Sequence, residues 1–135
     1  MTKEDIFDRL SNIIAEVTGF EPEEISEEDS LSEDIGIESF DIVDINFRVE
    51  EVFGVQIGPG TFWNFKDMFE NPEWIDENNL LTLKGIQEMK KRIPNLDKSN
   101  HIELTRSGNI SFTEMLGIVK VKHFVVYIQL NMTKE

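Results

Sequence analysis

Between residues 4 and 18 the apolar positions fall at Ile6, Leu10, Ile13, Ile14 and Val17, the spacing of one helix face, and Gly19 stands where a C-terminal cap belongs. This pattern predicts a first helix. It breaks down from Phe20 to Ile37, an acidic stretch punctuated by Pro22, Ser26, Asp29, Ser30 and Gly36, in which Ile25, Leu31, Ile35 and Ile37 recur as isolated apolar residues. Spaced apolar anchors in a polar stretch predict a long loop fastened to a core, not a free linker.

Helical periodicity returns near Ser39 and runs to about Phe53, with Gly54 ending it. Phe40, Val43 and Phe47 form one stripe of this second helix, Ile42, Ile45, Val49 and Val52 lie beside it, and Asp41, Asp44, Arg48 and Glu51 are expected outside. The segment GPGTFWNFKDMFENPEW opens with turn residues and predicts one or two short helices broken at Pro72. Thr82 can cap a further helix through Ile93, with Leu83, Ile86 and Met89 inward and Pro94 stopping it. Residues 95–109 read as a polar connection ending in the turn Ser107-Gly108-Asn109.

The last segment carries two opposed signals. Ser111 and Glu114 form an S-x-x-E capping box that favours a helix from Phe112 onward, whereas VKVKHFVVYIQL is rich in β-branched and aromatic residues that favour strands. A final helix over 111–135 is the expectation. The chain then reads as all-α, a single domain over 1–135.

At 135 residues and 39% hydrophobic content, the chain can build one genuine core but hardly two full domains. It has no cysteine, hence neither disulfides nor thiolate metal sites, and its two histidines, His101 and His123, lie far apart. The charged, helix-periodic start is not that of a signal peptide, and no apolar run approaches the roughly 18 residues of a membrane span. These features suit a reduced, cytoplasmic setting. The net charge of −14 is uneven: residues 1–80 hold 22 acids and 4 bases, residues 81–135 hold 5 acids and 9 bases. So acidic a first half argues against a nucleic-acid partner and suits a basic protein surface, although it also serves solubility alone.

Several kinds of chemistry drop out on spacing. Ser39 lacks the flanking glycines of a nucleophile elbow. The GPG at 58–60 lacks the spacing and lysine of a phosphate loop. The carboxylates Glu27, Glu28, Asp29, Glu33 and Asp34 lack the alternation of a calcium loop, and no metal site is expected. Neither histidine has a sequence-level partner. An enzyme is therefore not expected.

Ser39 opens the second helix between Glu38 and Asp41, where a serine is ordinarily a cap, worth about 0.5–2 kcal/mol over alanine. Its surroundings ask for more. A short helix, a long acidic loop with apolar anchors, an acid-serine-apolar triplet opening the next helix and the exit VEEVFGVQI together resemble an acyl carrier protein, from about Ile6 to Ile57 and through DSLSEDIGIESFDIVDINFRVEEVFGVQI. A weaker likeness to the family's final helix lies in SFTEMLGIVKVKHFVVYI. The resemblance implies a helical bundle with extra helices inserted after helix two: a carrier region 1–57, an insertion 58–110 and a final helix in 111–135.

It further implies 4'-phosphopantetheine esterified to Ser39, the position matching the serine of the family's D-S-L motif, with Glu38 for the usual aspartate and Phe40 for the usual leucine. The arm would come from coenzyme A through a phosphopantetheinyl transferase bringing its own base and magnesium. The carrier would hold an acyl group as a thioester for enzymes of lipid, fatty acid or polyketide biosynthesis, working as a monomer. Glu38, Asp41, Asp44 and Glu51 would meet the basic surfaces of the transferase and acyl-processing enzymes. The competing reading is an unmodified acidic helical protein-interaction domain in which Ser39 only caps. The insertion concentrates Phe62, Trp63, Phe65, Phe69 and Trp74 in thirteen residues, either as core or as the wall of an acyl-chain cavity.

Overall fold

The computed structural model describes residues 1–58, 60–96 and 111–132. These form six α-helices and one 3-10 turn: α1 (Lys3–Thr18), the turn Pro22–Glu24, α2 (Ser39–Phe53), α3 (Lys66–Phe69), α4 (Leu83–Arg92), α5 (Phe112–Leu116) and α6 (Val121–Asn131). Strand pairing among the described residues is limited to isolated bridges. The all-α expectation holds. The chain divides into two compact units, one of residues 1–57 with 120–135, the other of residues 58–119.

In the first unit α1 packs against both α2 and α6. Its predicted face is the buried one: Ile6, Leu10 and Ile14 are wholly enclosed. Thr2 and Asp5 close its N-terminus reciprocally, and Gly19 ends it in the left-handed conformation at φ 87°, its N–H donating to the Ala15 carbonyl at 2.9 Å. The acidic loop is anchored as its pattern required, with Ile25, Leu31, Ile35 and Ile37 all buried. Gly54, at φ 71°, ends α2 in the same way as Gly19 ends α1.

The start of α6 fastens this loop. Val121 N–H donates to the Asp29 carbonyl and Lys122 N–H to the Glu27 carbonyl, each at 3.0 Å, while Lys120 and Lys122 reach Glu28 at 3.2 and 3.0 Å. Hydrogen bonding to Lys122 and Lys120 holds the Glu28 carboxyl below its usual range. The β-branched run forms helix because Val121, Phe124, Val125 and Ile128 are buried, and burial outweighs a preference of a few tenths of a kcal/mol per residue. The expected single final helix is two. The capping box at Ser111 and Glu114 forms, with both hydrogen bonds at 3.1 Å, but it opens only the short α5; after Gly117 the chain turns before α6 begins.

The second unit takes its core from Phe62, Trp63, Phe65, Met68, Ile75, Leu81, Ile86 and Met89. Thr82 caps α4 as expected, its Oγ1 accepting from Gly85 N–H at 3.1 Å and donating to the Glu73 carbonyl. Leu83, expected inward, is 62% exposed as the first residue of α4, while Ile86 and Met89 are buried. Arg92 is buried in this unit, forked onto Asp67 at 3.0 and 2.6 Å, bonded to Glu88 at 2.6 Å, with its guanidinium 5.3 Å from the centre of the Trp74 ring. Of the five aromatics, Phe62, Trp63 and Phe65 are core, Trp74 is half-buried and Phe69 is exposed. The predicted turn at Ser107-Gly108-Asn109 and His101 lie outside the described residues.

Candidate functional site at the start of the second helix

The site is built from the loop's last turn. Ile37 N–H donates to the Leu31 carbonyl at 3.0 Å, and Gly36 takes φ 77°, a conformation that costs a residue without Cβ nothing, to bring Ile37 into the core. Glu38 follows in extended conformation at φ −102°, ψ 168°, and α2 begins at the next residue. The helix cap is thus Glu38, not Ser39. Asp41 Oδ2 accepts the Glu38 N–H at 3.0 Å, and the Glu38 carbonyl accepts the N–H groups of Asp41 and Ile42 at 2.9 and 3.1 Å.

Ser39 is left as the first helical residue, exposed, and among the described residues its hydroxyl makes no hydrogen bond. The capping role that a serine at a helix start ordinarily has, and that the competing reading gave Ser39, is not the one seen here. An E-x-x-D closure had already satisfied the turn, a signal legible as Glu38 and Asp41 three residues apart. The N–H groups of Ser39 and Phe40 likewise have no partner among the described residues, as the first amides of a helix do not.

The other predicted acids separate. Asp44 is engaged by Arg48, Nε to Oδ1 at 2.9 Å, and Arg48 also reaches Glu16 of α1 at 2.6 Å. Hydrogen bonding to Asp44, then its charge, holds the guanidinium more firmly protonated than usual. Glu51 is exposed, seven residues from Asp44 and so on the same line of the helix. Asp41 is turned into the cap.

Sequence reasoning missed what borders that acidic line. Phe40, Val43 and Phe47 are 70%, 72% and 61% exposed, one apolar stripe beginning beside Ser39, whereas the buried face is carried by Ile45, Val49 and Phe53. The available signal was arc width: apolar residues cover more of the α2 circumference than one buried face can use. Among the described residues no group of three His, Cys, Asp or Glu could hold a metal ion.

The family model described as a phosphopantetheine attachment site matches residues 8–67. The chain is 33% identical over 78 residues to an acyl carrier protein of Coprothermobacter proteolyticus, an alignment covering 58% of this chain and 95% of that protein. It is 43% identical over 56 residues to a meromycolate extension acyl carrier protein of Mycolicibacterium smegmatis, covering 42% of this chain and 57% of that one. To an acyl carrier protein of Saccharopolyspora erythraea it is 35% identical over 57 residues, covering 42% of this chain and 60% of that one. No solved structure matches.

The chain belongs to the acyl carrier protein family, whose members are carriers and not enzymes and whose prosthetic group is phosphopantetheine. The start of α2 fits such a group. It offers an exposed hydroxyl without a competing bond, two open N–H groups and the positive end of a helix dipole, all suited to a phosphodiester and opposed by the charges of Glu38 and Asp41.

Proposed function

We propose that Ser39 is the residue that carries the 4'-phosphopantetheine arm, and that the chain presents an acyl group to biosynthetic enzymes of the lipid, fatty acid or polyketide type. The observation that carries this is the Ser39 hydroxyl itself, exposed and unbonded on the first turn of α2, within the residues the family model matches. When bound, the arm supplies a thiol that holds the acyl group as a thioester. Everything else the chain does is presentation: the anchored loop fixes where α2 begins, and α2 fixes where the hydroxyl points.

Docking falls to α2. Phe40, Val43 and Phe47 offer apolar area, and Glu38, Asp44 and Glu51 beside it offer charge to a basic rim on the transferase or an acyl-processing enzyme. Asp44 reaches such a rim only in competition with Arg48. No helix among the described residues is long and apolar enough to cross a membrane. A monomer in the cytoplasm, meeting its partners by diffusion, suits a chain of this charge without cysteine.

The test is incubation with coenzyme A and a broad-specificity phosphopantetheinyl transferase. Intact mass should rise by one phosphopantetheine in the wild type and not at all in Ser39→Ala. An increment retained by that variant moves the arm elsewhere.

A further inference from the structure

Serine is among the residues most favoured to cap a helix, and Ser39 stands one residue inside a helix start that it does not cap. Two starts compete for this segment. In one, Glu38 is the cap, its carbonyl receiving the N–H groups of Asp41 and Ile42, and Ser39 is helical with its hydroxyl unengaged. In the other, the helix begins a residue later, Ser39 becomes extended, and its Oγ accepts from the amide of Asp41 or Ile42. The second start would tie up the nucleophile.

The group that favours the first start is Asp41. Its Oδ2 accepts the Glu38 N–H at 3.0 Å, a bond available only when Glu38 is the cap and Asp41 the third helical residue. We propose that Asp41 is a positioning residue for the modification of Ser39: by closing the turn on Glu38 it withholds the Ser39 hydroxyl from capping and keeps it free to react. This rests on Ser39 being the attachment site. In the step concerned, Ser39 Oγ forms a bond to the pantetheine-bearing phosphorus of coenzyme A, and the phosphoanhydride P–O bond breaks. Adenosine 3',5'-bisphosphate leaves, the serine proton passes to a base on the transferase, and nothing is oxidised or reduced. An oxygen already accepting a backbone amide is a poorer, misdirected nucleophile for that attack.

By sequence Asp41 is also expected among the docking acids, and the two roles respond differently to substitution. Asp41→Asn keeps an acceptor within reach of Glu38 N–H and loses the charge, Asp41→Glu keeps both, and Asp41→Ala keeps neither. The experiment measures initial rates of phosphopantetheine transfer from coenzyme A for the four proteins at low and high salt. Amide hydrogen exchange at Glu38 is measured in parallel, with circular dichroism to verify folding. The expected result is transfer slowed roughly fivefold to tenfold in Asp41→Ala, the size of one lost cap. That deficit should persist at high salt, with near wild-type rates for Asn and Glu and loss of Glu38 amide protection in Ala alone.

Equal slowing of Asn and Ala, fading with salt, would assign Asp41 to charge docking and overturn the proposal, as would a wild-type rate in Asp41→Ala. A mass increment persisting in Ser39→Ala, or absent from the wild type, would overturn the assignment of Ser39 instead.

Discussion

His123 Nδ1 accepts the backbone N–H of Lys120 at 2.9 Å, so a buried imidazole, 2% exposed, caps the helix that fastens the acidic loop ahead of Ser39. Burial pushes the His123 pKa down to about 4, the charges of Lys122 and Lys120 adding to it and that of Glu28 opposing. The unfolded chain, with an ordinary value near 6.5, takes up the proton first. The stability this group contributes is complete above about pH 6.5 and is lost progressively toward pH 4, by up to about 3 kcal/mol. Urea unfolding at pH 7 and pH 5 should show the fall, and His123→Gln should flatten it within that window. An identical slope in the variant would assign the loss to other groups.

Arg92 should hold the unit of residues 58–119 together. Arg92→Ala would leave Asp67 and Glu88 without their partner and Trp74 without its cation, costing about 2–4 kcal/mol. Arg92→Lys should recover little, since a point charge cannot fork onto the Asp67 carboxylate. Both tryptophans, Trp63 and Trp74, lie in this unit, so fluorescence-detected denaturation reports on it directly. Full recovery by lysine would reduce the network to charge alone.

Gly85 permits the approach of α4 to the preceding loop. A Cβ there would stand 2.1 Å from the Trp74 carbonyl oxygen and 2.9 Å from its carbon, and neither backbone atom can yield as a side chain would. Gly85→Ala should therefore lower the fluorescence-detected unfolding midpoint, although alanine is the better helix former by about 1 kcal/mol. A raised midpoint would contradict the packing described.

The outward stripe of α2 should matter for association and not for folding. Phe40→Ser and Phe47→Ser remove exposed apolar groups, so stability should move by no more than about 0.5 kcal/mol. The rate of phosphopantetheine transfer should nevertheless drop several-fold. Unchanged transfer kinetics in both variants would remove the stripe from the docking face.

How much of this was legible in the sequence follows from the range of the interactions. Ile6 to Val17, Gly19, the four loop anchors, Gly54 and the Thr82 cap are local patterns, and each was readable. The α2 stripe was visible as apolar but not as exposed, because periodicity identifies faces without saying which one finds a partner. Residues 121–131 are helical as expected, against their strand propensity, a weak preference that the buried surroundings of Phe124 and Ile128 override. The fork of Arg92 onto Asp67 spans 25 residues and the hold of Lys122 on Glu28 spans 94, separations over which composition carries no signal. Ser39 is singled out by its surroundings, while its bonding state depends on Glu38 and Asp41, whose E-x-x-D spacing is the local signal for it.

The central claim, that Ser39 carries the arm, is tested most directly by pairing folding with mass for Ser39→Ala. Because Ser39 makes no capping bond, the variant should unfold within about 0.5 kcal/mol of the wild type. Its intact mass should remain unchanged after incubation with coenzyme A and transferase, under conditions in which the wild type gains one phosphopantetheine. A folded Ser39→Ala protein that still gains that mass would contradict the claim.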